Sequence, residues 1–439
     1  MSENMKIGIL GGGIAGVSLA SFLHPSNSIC ILEAEKNPGG LACSHEYKGF
    51  HYDVGPHIIF SKNKAVLDHM LKIGGDQLKA YERSNQIWYK GAYIKYPFEN
   101  FLGLLNEKER EYCLSTFLDN PYSGYSASNM LQFFLKIFGE GITNTYLRPY
   151  NQKIWKYDPS FLDLQMVERI PKPPNQDIID GANGNYKEGY THQSQFYYPK
   201  QGGIQAFFNE AFKKLPDNAK VLPDQKIVKI ERKNKGWEVK SESEQTWNFD
   251  RILNCMPLAN LFSTFDFPVP ETVQKSLQGL KYNSMYYGVI IFSKDFAGNN
   301  FSINIPSSDI IFHRISKLNF LEEHENSGFL FEITYRSNSN LASLSKDEIR
   351  EKVLDGFEMM KLAYRKDFLD FDLKSVEKSY VIYDIDHRKN TDSVLRYLAS
   401  LDIFCCGRFA EHEYLNMDHV IERAMKLAEK INNRKDVYL

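Results

Sequence analysis

The chain has 439 residues, too many for one ordinary core, and its 43% hydrophobic and 25% charged composition is that of a globular protein of two or three units. A formal net charge of −2 with no Lys/Arg-rich run excludes a nucleic-acid partner, so an anionic ligand would need locally placed Arg or Lys. The six cysteines, Cys30, Cys43, Cys113, Cys255, Cys405 and Cys406, form no CxxC pair and have no His cluster beside them, so they read as reduced thiols of a cytoplasmic protein, with no metal.

Residues 6–10 read as a short apolar strand. Gly11, Gly13 and Gly16 follow in GGGIAG, then an apolar helical stretch to about residue 23, a second apolar strand over 28–32, and Glu33. The nearly uncharged stretch 7–23 is too short and too glycine-rich to be a membrane span, and no integral membrane segment is expected. Each part of the strand, turn, helix, strand and acid has a task. Gly11 allows the tight turn, Gly13 lets the backbone approach a pyrophosphate, and Gly16 lets helix and strand pack closely. The helix N-terminus offers N–H groups and a positive dipole end to phosphates, and Glu33 is placed to accept ribose hydroxyls. The glycines alone do not separate NAD from FAD. Asn37-Pro38-Gly39-Gly40-Leu41 then follows the acid. This extension resembles the amine-oxidase and protoporphyrinogen-oxidase group of FAD proteins, in which paired glycines let the chain pass close to the cofactor.

Further along, residues 106–148 carry a helical pattern whose apolar stripe, with Leu131, Phe134, Leu135 and Phe138, reads as core. Pro171, Pro173 and Pro174 end that region, and residues 178–195, rich in Gly, Asn and Tyr, read as a loop. Residues 226–231 and 236–240 read as a hairpin, and 250–256 as a strand returning to the first sheet. Residues 286–292 and 328–334 are the clearest strands of a second sheet, and 346–364 reads as a helix. Cys406-Gly407-Arg408-Phe409 precedes a closing helix over about 418–431, with Asp418 as a plausible N-cap. The fold class expected is α/β: a Rossmann-like FAD-binding domain of the glutathione-reductase type, with an inserted helical domain and a β-sheet substrate domain. The boundaries expected are 1–75, 196–257 and 404–439 for the FAD-binding domain, 101–180 for the helical domain, and 76–100, 181–195 and 258–403 for the sheet region.

Six separated pieces, in order, resemble the UDP-galactopyranose mutases: GFHYDVGPHIIFS (49–61), IKYPFEN (94–100), RPYNQKIW (148–155), VERIP (167–171), FHRIS (312–316) and CGRFAEHEYLNMDHVI (406–421). The resemblance implies a role for each residue that matches. His57 would lie on a loop against the flavin. Arg169 and Arg314 would grip the substrate pyrophosphate, a task suited to the planar guanidinium fork. Asn151 and Trp155 would hold the nucleobase, with Phe60 and Tyr96 in the same pocket. Tyr380 and Tyr414 would contact the phosphates beside the flavin, and Arg408 would face the flavin. Gly40, Leu41, Val228, Gly407, Asn416 and Met417 would join Gly11, Gly13, Gly16 and Glu33 around the cofactor. Three positions depart from the family pattern: Glu99 stands in place of Gln, Gln193 roughly in place of Asn, and Asn304 in place of a phosphate-approaching Tyr among the substrate residues. These departures touch base and sugar specificity.

The activity implied is interconversion of pyranose and furanose forms of a nucleoside-diphosphate hexose like UDP-galactose, through attack of reduced FAD N5 on the anomeric carbon. NAD(P)H would act as a transient reductant. Such mutases usually feed surface-polysaccharide synthesis. The partner expected is the sugar nucleotide, and a homo-oligomer is left open. The alternative is an FAD-dependent oxidase or desaturase of the protoporphyrinogen-oxidase or amine-oxidase type, which shares the N-terminal signature but needs neither the arginine pair nor the nucleobase Trp.

Overall fold

The structure is a computed structural model that describes residues 4–187 and 195–433, apart from the side chain of Arg169. Gln193 and most of the second half of the expected 178–195 loop lie outside the described residues.

The strand Lys6–Leu10 is buried at four of its five positions because both its flanks and both its faces are covered. Ser28–Leu32 pairs with it in parallel on one side and Arg251–Asn254 on the other. Ala219–Leu222 and Phe404–Cys405 extend the sheet at its two edges, making five parallel strands. Near-continuous apolar strands suit this sheet, since helices cover it. Helix Ile14–Phe22 lies on it, against the closing helix Met417–Asn432, in one apolar cluster.

A second, eight-stranded sheet is built around two long strands, Lys281–Phe292 and Ser327–Tyr335, paired antiparallel from Ser284↔Tyr335 to Phe292↔Ser327. Arg314–Lys317, Ser302–Asn304, Asn85–Tyr89 and Ala92–Lys95 continue outward from Ser327–Tyr335, while Lys374–Ile382 and Phe368–Phe371 flank Lys281–Phe292. Helix Lys346–Met359 closes one face, its Phe357 packing against Phe292, Phe312 and Phe329. The other apolar cluster gathers the helices Met130–Ile142 and Arg148–Trp155 with Tyr287, Val289 and Tyr380. A separate antiparallel sheet holds Ile227–Arg232, Trp237–Ser241 and Thr246–Phe249, so the expected hairpin gains a third strand.

Several boundaries are corrected. Residues 178–182 are the end of helix Asn175–Ala182 rather than loop. The helix expected over 346–364 stops at Met359, after which Lys361 turns left-handed. The closing helix starts at Met417 with Asn416 at its N-cap, so Asp418 sits in the first turn, where its charge favours the helix dipole without capping it. Among the described residues, no helix is long and apolar enough to cross a membrane.

Candidate functional site

A large cavity, about 2460 Å³, runs between the five-stranded sheet and the eight-stranded one. Its first wall is backbone. Gly11, Gly13, Gly40 and Leu41 line it, with Gly40 Cα 3.8 Å from the place a Cβ on Gly13 would occupy and Gly13 Cα 3.5 Å from that of a Cβ on Gly40. Gly16 is not on the cavity surface. It packs the helix onto the turn so closely that a Cβ there would enter the van der Waals shell of the Gly11 carbonyl. That is the packing task expected of it, and it places Gly16 behind the cofactor region rather than against it.

Glu33 ends the second strand at the cavity edge. Its carboxylate accepts from Gly12 N at 2.6 Å and from Glu35 N at 2.9 Å, which fixes its orientation. Helices Ile14–Phe22 and Met417–Asn432 both open onto the cavity, and neither has a side-chain cap on its first-turn amides. Two helix N-termini directed at one space suit an anionic ligand such as a pyrophosphate. Gly407 has φ of +119°, and a Cβ there would lie 3.0 Å from Ala15 Cβ, so the chain passes close to the first helix at this point. Asn416 and Met417 line the cavity beside it. The donor set, the glycine cradle and the terminal acid fit a dinucleotide.

The facing wall is made of side chains. Arg314 leaves the strand Arg314–Lys317 and meets Glu332 across the ladder, where the two residues are in register. Nε donates to Glu332 Oε1 at 2.6 Å and Nη2 to Oε2 at 2.7 Å, a side-on pair. Glu332 is fully buried, while the Arg314 side chain keeps 28% exposure, on the cavity surface. Burial opposes the Arg314 charge, but the Glu332 carboxylate and neighbouring Tyr380 outweigh it and hold the guanidinium firmly protonated. Tyr380 Oη reaches Glu332 Oε2 at 3.4 Å.

Tyr380 also belongs to an aromatic triad. Its ring lies edge-on to Trp155 at 5.7 Å and to Tyr414 at 5.5 Å, and Trp155 lies edge-on to Tyr414 at 5.7 Å. Arg408 sits 5.0 Å over the Tyr414 ring and is anchored by Nε to Leu415 O at 2.8 Å and Nη1 to Ser379 O at 3.1 Å. His57 stands in the turn after the strand Phe50–Asp53. Its Nδ1 donates to Gly55 O at 2.8 Å, which leaves Nε2 as the acceptor of a neutral ring. Burial first, then the nearby Arg408 and Arg314 charges, push its pKa down to about 4, so the ring is neutral at physiological pH.

At the cavity mouth Phe60 packs under Arg83, whose guanidinium lies 5.5 Å from the ring, and Tyr96 and Asn304 line the same edge. Asn304 Oδ1 accepts from Tyr150 Oη at 3.0 Å, which turns its amide nitrogen away from Tyr150. Arg83 Nε and Asn85 Oδ1 are buried there without a protein partner.

Two expected site residues are placed differently, and one has no described side chain. Asn151 is 4% exposed and does not line the cavity. Its amide donates to Leu147 O at 2.7 Å and accepts from Trp155 Nε1 at 2.9 Å, which orients Trp155. Val228 has its side chain 42% exposed at a register shift between the strands Ile227–Arg232 and Trp237–Ser241, and Ile227 lines the cavity in its stead. Arg169 ends the short turn Leu164–Arg169, whose Gln165, Met166 and Glu168 line the cavity; its side chain lies outside the described residues. Sequence reasoning missed Glu332, although a lone acid inside the apolar run FLFEITY signals a buried charge that needs a cation. For Arg83 the sequence carries no such signal.

The fold is shared with solved structures. A reduced UDP-galactopyranose mutase matches with a TM-score of 0.89 and 20% identity over 99% of this chain and 95% of that one. A proposed protoporphyrinogen oxidase from Exiguobacterium sp. 255-15 matches with a TM-score of 0.78, 15% identity and coverage of 99% and 100%. Among curated proteins, the lycopene-forming phytoene desaturase of Pantoea ananas is 32% identical over 74 residues, which is 17% of this chain and 15% of that one. The L-amino acid oxidase bordonein-L of Crotalus durissus terrificus is 20% identical over 302 residues, 64% of this chain and 57% of that one. The match thus spans less than two thirds of either curated relative. Residues 14–388 match the family of flavin containing amine oxidoreductases, and the chain is a flavoprotein belonging to that family.

Proposed function

We propose that this flavoprotein is a sugar-nucleotide mutase that interconverts the pyranose and furanose forms of a nucleoside-diphosphate hexose of the UDP-galactose kind. The observation that carries the reading is the Arg314–Glu332 pair beside Tyr380, Tyr414 and Trp155, on the wall opposite the dinucleotide cradle. An oxidase of small amines has no use for a fixed guanidinium in its site. A diphosphate does, because side-on pairing through Nε and Nη2 leaves Nη1 for a phosphate oxygen.

A flavin held against Gly11, Gly13, Gly40 and Glu33 would, when reduced, supply the nucleophile for the anomeric carbon. The chain's own residues then bind and orient. Arg314, with Arg169 proposed as its counterpart, holds the leaving diphosphate, where charge develops. The hydroxyls of Tyr380 and Tyr414 stand beside it. Phe60 and the 7% exposed Trp155 line the cavity as apolar surface for the base. Neutral His57 can accept a proton or hydrogen bond at Nε2. NAD(P)H is proposed as the reductant.

The second reading, an FAD-dependent oxidase or desaturase, is favoured by the names of the curated relatives. One experiment separates the two. Dithionite-reduced protein is incubated with a panel of UDP- and dTDP-hexopyranoses and the products are resolved by chromatography. The mutase reading expects a furanose product only from reduced protein. If no sugar nucleotide rearranges while amines or amino acids are oxidised with oxygen uptake, the oxidase reading replaces it.

A further inference from the structure

Asp53 closes the hairpin of Ser44–Tyr47 and Phe50–Asp53, in register with Ser44. It is 3% exposed. Four donors converge on its carboxylate. Ser44 Oγ at 2.6 Å and Ile204 N at 3.1 Å meet Oδ1. Tyr198 Oη at 2.8 Å and His57 N, longer at 3.4 Å, meet Oδ2. Among the described residues no Lys or Arg pairs with it, so it is held as a buried carboxylate by neutral donors.

The donors come from four segments: the hairpin that follows the paired glycines, the turn carrying His57, the strand Gln195–Pro199, and the start of helix Gly203–Lys213. Ser44 Oγ in turn accepts from Gln205 N at 3.0 Å, and Gln205 Nε2 donates to Pro38 O at 3.3 Å. The chain of bonds therefore continues into the loop that carries Gly39 and Gly40. Gly203 is required at the junction, because at φ +63° a Cβ would press on both Ser44 and Asp53. Beyond His57 the turn is fixed by reciprocal bonds between Ile59 and Tyr197, both 2.9 Å. On the near side, Asp53 is the attachment.

We propose that Asp53 is a positioning residue, whose buried carboxylate ties the glycine loop, the His57 turn and the start of helix Gly203–Lys213 into one unit and so fixes His57 against the cavity. The inference uses the reading that His57 belongs to the site, but its test does not depend on turnover. Burial pushes the Asp53 carboxyl up to about 6 even though its four bonds oppose the rise. The charged and titratable groups around the two residues are Arg408 and Arg314 facing His57, and Tyr198 and Cys43 facing Asp53.

The two possible actions of Asp53 have opposite signs. If it acted on His57 through charge alone, its removal would lower the His57 pKa further. If it positions the turn, its removal lets His57 meet water and the pKa rises toward 6.5. The experiment is an NMR titration of isotope-labelled histidine in the full-length, flavin-loaded protein, with the His57 signal assigned by its loss in His57→Gln. Wild type is expected to titrate at about 4. Asp53→Asn is expected to move the signal upward by more than one pH unit while bound flavin is retained. Tyr198→Phe, which removes one donor, is expected to move it the same way by less, and decides the matter if Asp53→Asn does not fold. An unchanged or lowered His57 pKa in the folded variant, with only thermal stability reduced, overturns the proposal. Failure of the sugar-nucleotide assay would leave this titration readable, so the two ideas fail separately.

Discussion

Around the dinucleotide cradle the chain presents backbone: Gly11, Gly13 and Gly40, two helix N-termini and one orienting acid, Glu33. Across the cavity it presents side chains: Arg314 on its buried carboxylate, and Trp155, Tyr380 and Tyr414 edge to edge. Most of the first surface is set by residues 11–41, close in sequence, with the start of helix Met417–Asn432 added from the far end of the chain. The second is assembled from residues between positions 155 and 414, brought together by sheet register and by helix ends. A backbone surface tolerates side-chain change except where a Cβ would collide. A side-chain surface fails when one partner of a pair is lost, because the other stays buried.

The sharpest break in that contrast is Arg314→Ala. It strands Glu332, which is 0% exposed, and removing one member of a buried ion pair costs about 3–5 kcal/mol. Denaturant unfolding should show this loss, and Glu332→Gln in the same chain should restore much of it. On the proposed reading, turnover in the reduced-protein assay falls about 10-fold to 1000-fold and is not restored by the second change, since no guanidinium returns. If stability returned together with activity, Arg314 would be a structural cation and the wall would hold no phosphate clamp.

On the backbone side the corresponding break is Gly16→Ala. The new methyl would collide with the Gly11 carbonyl, and overpacking of this kind costs about 1–3 kcal/mol. Because the collision pushes the turn that carries Gly11 and Gly13, flavin content should fall more steeply than sugar-nucleotide affinity. The ratio of flavin to protein after gel filtration measures it. Full flavin content with normal stability would mean that the helix shifts freely, and the cradle is then less constrained than its geometry requires.

A buried carboxyl off the cavity surface, in the short helix Phe98–Leu104, sharpens the comparison through pH. Glu99 is 2% exposed, and burial pushes its pKa from 4.5 up to about 7. Below 4.5 the group is protonated in both folded and unfolded chains and contributes nothing. As pH rises from 4.5 to 7 the unfolded chain releases its proton and the folded one does not. The wild type therefore loses stability across that window, and the loss is complete above 7. Glu99→Gln is expected to be more stable by about 1–3 kcal/mol at pH 8 and equal to wild type near pH 4. Melting curves at the two pH values test this, and a gain that does not depend on pH would mean that the carboxyl is ionised in the fold.

What could be read in the sequence follows the same division. The strands at 6–10 and 28–32, the glycine turn and Glu33 were legible because their chemistry needs only neighbours in sequence. The place of Arg314 and Trp155 on the cavity came from matching short motifs, whereas their partners did not. Glu332 is 18 residues from Arg314 and meets it through the register of two antiparallel strands, which no local pattern encodes. The bond Asn151 makes, four residues along its own helix with Trp155 Nε1, was not legible because it depends on where the Trp ring is turned. The helix over 175–182 was hidden by the Gly and Asn residues that follow it.

Val228 offers the smallest effect and the finest test of the contrast between backbone and side-chain surfaces. Its side chain is 42% exposed, and it sits where the ladder skips from Ile227↔Ser241 to Lys229↔Lys240, so it has no register partner. A residue at such a bulge has its backbone polar groups released from the ladder. Any service it gives the cofactor must therefore come through the main chain, as at the glycine turn. Val228→Ala should leave flavin affinity and stability within about 0.5 kcal/mol of wild type. Val228→Pro removes the N–H while keeping an apolar side chain, and should weaken flavin binding by about 1 kcal/mol, the worth of one hydrogen bond. Titrating the apoprotein with FAD and following fluorescence quenching reads both. Equal affinity for the Ala and Pro forms would detach Val228 from the cofactor altogether and leave Ile227, which does line the cavity, as the contact from this hairpin.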